Sequence, residues 1–145
     1  CVSGGDSRSE SVRKGLAQVP DTAQVVVVHD AARPVASRGL MAAVVAAVRN
    51  GADAAIPVVG VVDTIRDLDG NTIDRSQLQA VQTPQGFSAR ALRHAHATGA
   101  QATDDATLVR AVGGSIVVVP GERWNIKVTE PEDALVVAAL LGRCS

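Results

Sequence analysis

Four consecutive valines, Val25 to Val28, run without a polar break into His29, Asp30 and Arg33, and Pro34 closes the stretch. An arginine beside a carboxylate that can hold a cation is the chemistry of a phosphate-and-metal corner. The same residues also suit an Asp–Arg pair tying down a loop, with the histidine satisfied by the backbone. Two further places join polar groups to restricted backbone or strand positions. Thr83-Pro84-Gln85-Gly86-Phe87 follows the stretch Leu78 to Gln82, and Lys127 lies between Ile126 and Val128 as one of only two lysines. Near the start, Gly4-Gly5 before Asp6-Ser7 would let a ligand approach both the backbone and a helix N-terminus. An ordinary strand-to-helix turn has that composition too.

These groups need strands to carry them. An unbroken valine run suits a strand covered on both faces by helices, as in a parallel sheet, and open α/β sheets bind ligands beyond the carboxyl ends of their strands. Val12, Leu16 and Val19 recur at helical spacing after Ser7. Ser37 is an N-cap for a helix with Leu40, Met41, Val44, Val45 and Val48 on one side, and Asn50-Gly51 ends it. Ala52 to Pro57 and Ser115 to Val119 are further buried strands. Ser88 caps a helix that stops at Thr98-Gly99, and on it His94 and His96 are expected at the surface. Thr103 is expected to cap a short helix holding Asp104 and Asp105 in its first turn, where the dipole favours carboxylates. Thr129 with Glu132 is expected to box the last helix, Pro131 to Leu141. The β-α-β-α-β order predicts an α/β fold, Rossmann-like and three-layered, with a mostly parallel sheet.

The middle departs from that rhythm. Val58 to Asp67 is rich in β-branched residues, and Asp69-Gly70-Asn71 is a hairpin signal before Thr72-Ile73. An apolar hairpin inserted there has no local core to bury in, so residues 58–77 are expected to form an arm that packs on a second subunit. Composition excludes other classes. With one Trp, one Phe and no Tyr at a net charge of −1, the chain lacks both stacking platforms and an electrostatic footprint for nucleic acid. The apolar run from Ala134 to Leu141 is far short of the roughly 20 residues that span a bilayer. Cys1 and Cys144 form no metal-type spacing, which suits a reduced, cytoplasmic protein.

Taken together, Gly4-Gly5-Asp6 with Arg8 and Ser11, His29-Asp30-Ala31-Ala32-Arg33-Pro34, Asp63-Thr64 and Thr83-Pro84-Gln85 resemble the methylerythritol phosphate cytidylyltransferases of non-mevalonate isoprenoid synthesis. Thr103-Asp104-Asp105 and Asn125-Ile126-Lys127-Val128-Thr129 with Pro131-Glu132-Asp133 complete the set. The resemblance covers all 145 residues as one nucleotidyltransferase domain. It has no counterpart for the family's upstream glycine-rich loop, with its Arg and following Lys, so these residues alone are expected not to turn over. Glu122-Arg123-Trp124 is a second departure, where a small or acidic residue is expected.

The resemblance implies in-line attack by the phosphate of 2-C-methyl-D-erythritol 4-phosphate on the α-phosphorus of CTP, with release of pyrophosphate. Gly4, Gly5, Asp6 and Ser11 would line the cytidine pocket. Asp30 and Arg33 would lie by the phosphates and the second substrate, with Asp30 toward Mg²⁺ or another divalent cation. Thr64, Arg75 and Thr83 would hold the methylerythritol phosphate, with Arg75 clamping its phosphate, and Lys127 would orient the nucleophile. The arm would interlock two subunits in a homodimer. Two alternatives stand beside this: a cytidylyltransferase for another polyol phosphate such as ribitol 5-phosphate, and a non-catalytic nucleotide-binding or dimerisation module.

Overall fold

The computed structural model describes residues 1–142, so Cys144 lies outside the described residues. In chain order the elements are α1 (Arg8–Leu16), β1 (Val25–Val28), α2 (Arg38–Arg49), β2 (Ala54–Gly60), β3 (Ile65–Arg66) and β4 (Thr72–Ile73). A 3₁₀ turn (Arg75–Gln77) leads to β5 (Gln79–Val81), β6 (Gln85–Ser88), α3 (Ala89–Ala97), α4 (Asp105–Ala111), β7 (Ile116–Pro120) and α5 (Pro131–Leu141).

The fold is α/β with helices on both faces of the main sheet. Val44 and Val48 of α2 pack with Ala55, Val119 and Val25 on one face. Leu16, Leu92, Ala95, Leu108 and Val109, from α1, α3 and α4, pack with Ala54, Phe87, Val26 and Val28 on the other. Neighbouring strand residues thus go to opposite sides, as the period of two requires. The four valines are only half-buried, because among the described residues β1 pairs with β6 alone.

The sheet is mixed rather than mostly parallel. β1 and β2 both run antiparallel to β6, which lies between them, and β5 is antiparallel to β2. Among the described residues only the β2–β7 pair is hydrogen-bonded in parallel. The strands expected from apolar runs do share one direction. The departure is β6, whose Gln85-Gly86-Phe87-Ser88 has no β-branched residue, and which continues from β5 along one edge of β2. Its glycine is required by contact. A Cβ on Gly86 would stand 2.9 Å from the Val44 carbonyl oxygen and 3.1 Å from its carbon, so α2 rests directly on that backbone.

Caps fix the helix starts. Ser7, Ser37 and Ser88 accept from the backbone N–H groups of Glu10, Leu40 and Ala91. Two expected caps are displaced by one residue. Asp104, not Thr103, caps α4 by accepting from Thr107 N–H, which leaves Asp105 inside the first turn. At α5 the box is Glu130 with Asp133, not Thr129 with Glu132: the Asp133 carboxylate takes the N–H groups of Thr129 and Glu130 and the Thr129 hydroxyl. Those bonds hold the Asp133 carboxyl below its usual range. A hairpin forms as β3 pairs with β4, with Gly70 at φ +87° in the turn, but Val58 to Gly60, expected in the arm, belong to β2 of the main sheet because β5 and β7 flank them. Leu68 and Ile73 on it and Val62 before it are exposed. No described helix is long and apolar enough to cross a membrane.

Gly86→Ala is expected to destabilise the domain by about 1–3 kcal/mol, since backbone must move to admit the methyl group. Urea denaturation measures it, and an unchanged midpoint would show that α2 does not rest on β6.

Candidate active site

Where β5 passes into β6 the chain is irregular from Gln82 to Pro84, and these buried residues organise one end of the sheet. Gln82 keeps a ladder bond, its N–H to the Pro57 carbonyl (2.8 Å). Its side-chain amide then grips the segment after β7. Nε2 donates to the carbonyls of Glu122 (2.8 Å) and Asn125 (3.3 Å), while Oε1 accepts from Glu122 N–H (3.1 Å) and Asn125 Nδ2 (3.4 Å). Asn125, wholly buried, also donates Nδ2 to the Thr83 carbonyl at 2.8 Å. Glu122 meanwhile accepts from the backbone N–H and hydroxyl of Ser37, which ties the same segment to the start of α2. The departure at Glu122 thus has a structural task.

The segment carries Lys127 to the end of β1. Val128 N–H donates to Ala32 O at 2.8 Å, and Arg33 Nη1 donates to Asn125 O at 2.7 Å. Lys127 Nζ lies 3.2 Å and Arg33 Nε 3.8 Å from the same oxygen of Asp30, Oδ2. Burial pulls the Arg33 pKa below its ordinary value, and the Asp30 charge opposes that. The Thr83 hydroxyl accepts from Asp30 N–H (2.9 Å) and lies 3.1 Å from His29 Nδ1, and since the Arg33 carbonyl 3.1 Å from Nε2 can only accept, His29 carries a proton on Nε2. His29 is satisfied locally, and the Asp30–Arg33 pair faces a cleft.

That cleft has a volume of about 410 Å³. Asp30, Arg33, Thr83 and Lys127 line it, so four of the expected site residues come together. Arg8, Gln82, Gln85, Asp104 and Thr107 also contribute to the lining. Arg8 is matched by the buried Asp105 behind it, so the positive charge open to a polyanion is that of Lys127 and Arg33 gathered on the single Asp30. A phosphate in reach of Lys127 and Arg33 would find donors already fixed by Asp30 and Asn125.

The remaining expected residues lie elsewhere. Gly4, Gly5 and Asp6 form the turn into α1 and Ser11 lies on that helix, where Gly5 N–H donates to Ser11 Oγ (2.9 Å) and Asp6 N–H to Glu10 Oε2 (2.8 Å). They do not line this cleft, although Arg8 on the same helix does. Thr64 and Arg75 are exposed near the hairpin, and the Arg75 guanidinium donates to the Val62 carbonyl. Within one chain the structure does not bring them to the cleft.

Sequence reasoning missed the buried amides Gln82 and Asn125 and misjudged His96. That histidine is 4% exposed and hydrogen-bonded to the buried Asp105, whereas His94 is exposed as expected. A signal existed, because His96 follows the core residue Leu92 by four and so shares its helix face.

Comparison with known proteins gives this arrangement relatives. The family profile described as IspD, 2-C-methyl-D-erythritol 4-phosphate cytidylyltransferase, matches residues 1–143. A protein of that name from Frankia casuarinae is 46% identical, over 99% of this chain and 56% of its own length. One from Streptomyces avermitilis is 41% identical over 98% of this chain and 62% of its own. The crystal structure of the 2-C-methyl-D-erythritol 4-phosphate cytidylyltransferase of Thermus thermophilus superposes with a TM-score of 0.89 at 40% identity. The match covers 96% of this chain and 71% of that one. The chain thus spans 56% and 62% of the lengths of these two curated relatives.

Thr83→Val removes the hydroxyl that joins Asp30 N–H to His29 and is expected to cost about 1–3 kcal/mol, the cost of a buried group left unpaired. Urea denaturation reads the loss. Full stability in the valine variant would mean the Asp30 turn is held without Thr83.

Proposed function

We infer the function from kinship: the chain belongs to the 2-C-methyl-D-erythritol 4-phosphate cytidylyltransferase family, and we propose that the protein carrying it transfers a cytidylyl group from CTP to 2-C-methyl-D-erythritol 4-phosphate. Pyrophosphate leaves, and the product feeds isoprenoid precursor synthesis. The observation that carries the reading is the meeting of Lys127 and Arg33 on one Asp30 oxygen at the rim of a cleft. Phosphoryl chemistry is catalysed by positioned charge, and this is positioned charge.

In the reaction as proposed, the attacking oxygen is a phosphate oxygen of the methylerythritol phosphate. Lys127 steadies it beside the α-phosphorus, and Arg33 draws the second substrate's charge. Asp30 holds the Lys127 ammonium, Asp30 and the Asn125 carbonyl together hold the Arg33 guanidinium, and the Thr83 hydroxyl holds the Asp30 turn. Gly4, Gly5, Asp6 and Ser11 take the cytidine end. Thr64 and Arg75 are exposed on the arm, which suits a site completed by a second subunit, with Arg75 clamping the sugar phosphate.

A divalent cation, Mg²⁺ by its chemistry, belongs to the proposal. Among the described residues no group of three or more His, Cys, Asp or Glu side chains could hold a metal. The Asp30 carboxylate at the cleft fits Mg²⁺ nonetheless, because that ion binds through one or two carboxylates while phosphates and water supply the rest. Bound there, it would neutralise phosphate charge. A cytoplasmic homodimer suits the reading.

Lys127→Ala is expected to lower kcat for CTP-dependent pyrophosphate release about 100-fold or more. Arg75→Ala is expected to raise KM for the sugar phosphate about 100-fold while CTP binding holds. Equal loss of both substrates would overturn the Arg75 assignment, and no pyrophosphate release from the unaltered protein would overturn the function. Replacing residues 62–73 by a short Gly-Ser turn is expected to yield monomers in sedimentation; a persisting dimer would exclude the interlocking arm.

A further inference from the structure

Away from the reacting groups, one buried charge has no part in the chemistry described so far. Asp105, with no exposed side-chain surface, gives Oδ2 to Arg8 Nη2 at 2.7 Å and Oδ1 to His96 Nε2 at 2.8 Å. A carboxylate only accepts, so the His96 proton at this contact is on Nε2. His96 comes from α3, Asp105 from α4 and Arg8 from α1, so the triad joins three helices on one face of the sheet. One of its members reaches the cleft wall, and a second adjoins a residue that does. Arg8 lines the cleft, and Asp105 follows Asp104, which lines it too and accepts from Gln85 Nε2 at 3.3 Å.

A role in stability alone explains the triad poorly. Apolar side chains of equal volume commonly serve a core as well as or better than a buried ion pair. Nor is the hydrogen bonding complete, since His96 Nδ1 and Arg8 Nη1 are buried with no partner among the described residues. What the triad does supply is direction. With both carboxylate oxygens engaged, Asp105 cannot rotate, and Arg8 has one place to put its guanidinium. Arg8 also stands two residues after Asp6, on the helix that the proposed function assigns to the nucleotide.

We propose that His96 is a positioning residue for nucleotide binding: acting through Asp105, it holds Arg8 in the cleft wall. The inference rests on the cytidylyltransferase reading for the identity of the nucleotide. It does not rest on it for the placement of Arg8.

The test uses the whole protein that carries this chain, with His96→Leu, which removes the donor, and His96→Gln, whose amide Nε2 can replace it. His96→Leu is expected to raise KM for CTP about tenfold, the scale of a small misplacement, with kcat near that of the unaltered protein. His96→Gln is expected to restore KM. Nitrogen NMR of the Arg8 guanidinium, which needs no activity, is expected to show hindered rotation in the unaltered and glutamine forms and free rotation in the leucine form. In an Arg8→Ala background, His96→Leu is expected to add nothing to KM. An unchanged Arg8 signal in the leucine form, a glutamine form no better than leucine, or additive losses would each overturn the proposal. Should the leucine form not fold, the proposal still fails if the glutamine form frees the Arg8 signal. A protein without pyrophosphate release contradicts the function, and the Arg8 signal then decides the positioning.

Discussion

The amide of Gln82 is the constraint on which the site depends. It is buried where β5 gives way to β6, and it satisfies backbone groups of a segment forty residues later, at Glu122 and Asn125. An unpaired amide there would cost about 1–3 kcal/mol, so the segment after β7 cannot leave without penalty. Close packing reinforces the grip. A Cβ on Gly121 would come within 2.7 Å of Gln82 Oε1 and 2.8 Å of the Val58 carbonyl, which leaves glycine the residue for that crossing. Everything that follows in the chain, Lys127 included, inherits its position from this contact.

Charge then does what shape prepares. Asp30 is three-quarters covered and Arg33 more so, which strengthens their attraction relative to a pair in water. Two cations on one carboxylate oxygen leave an excess of positive charge, and a phosphate is the group that relieves it. The arrangement is made before any ligand arrives, so little reorganisation remains for the reaction itself. On the far wall, the buried Asp105 does for Arg8 what Asp30 does for Lys127.

Much of this was legible in the chain. Runs of β-branched and small apolar residues marked β1, β2 and β7, although β1 is only half-buried and β7 mostly exposed among the described residues, and serines before helical periods marked three caps because capping is local. The polar cluster after Val28 and the lysine at 127 stood out for the same reason: polar residues at strand ends have few structural uses. What escaped depended on distant partners. β6 has neither pattern nor propensity, and it is a strand only because β1 and β2 flank it. Asp104 rather than Thr103 caps α4 because Asp105 is drawn inward to Arg8 and His96, which no local rule contains. The buried roles of Gln82 and Asn125 exist only as a pair, and forty-three positions separate them. Thr64 and Arg75 carry no sign of their partner within one chain.

Backbone amide NMR during titration with CTP tests the central claim most directly, namely that one polyanion-binding cleft forms where β1, the Gln82–Gln85 stretch and Lys127 meet. The largest shifts are expected at Gly5, Asp6 and Ser11, where the cytidine end is proposed to bind, and at Asp30, Arg33 and Lys127 in the cleft, with the α3 surface around Arg90 and His94 unmoved. Shifts centred on Arg90 and His94, or none at saturating nucleotide, would contradict it.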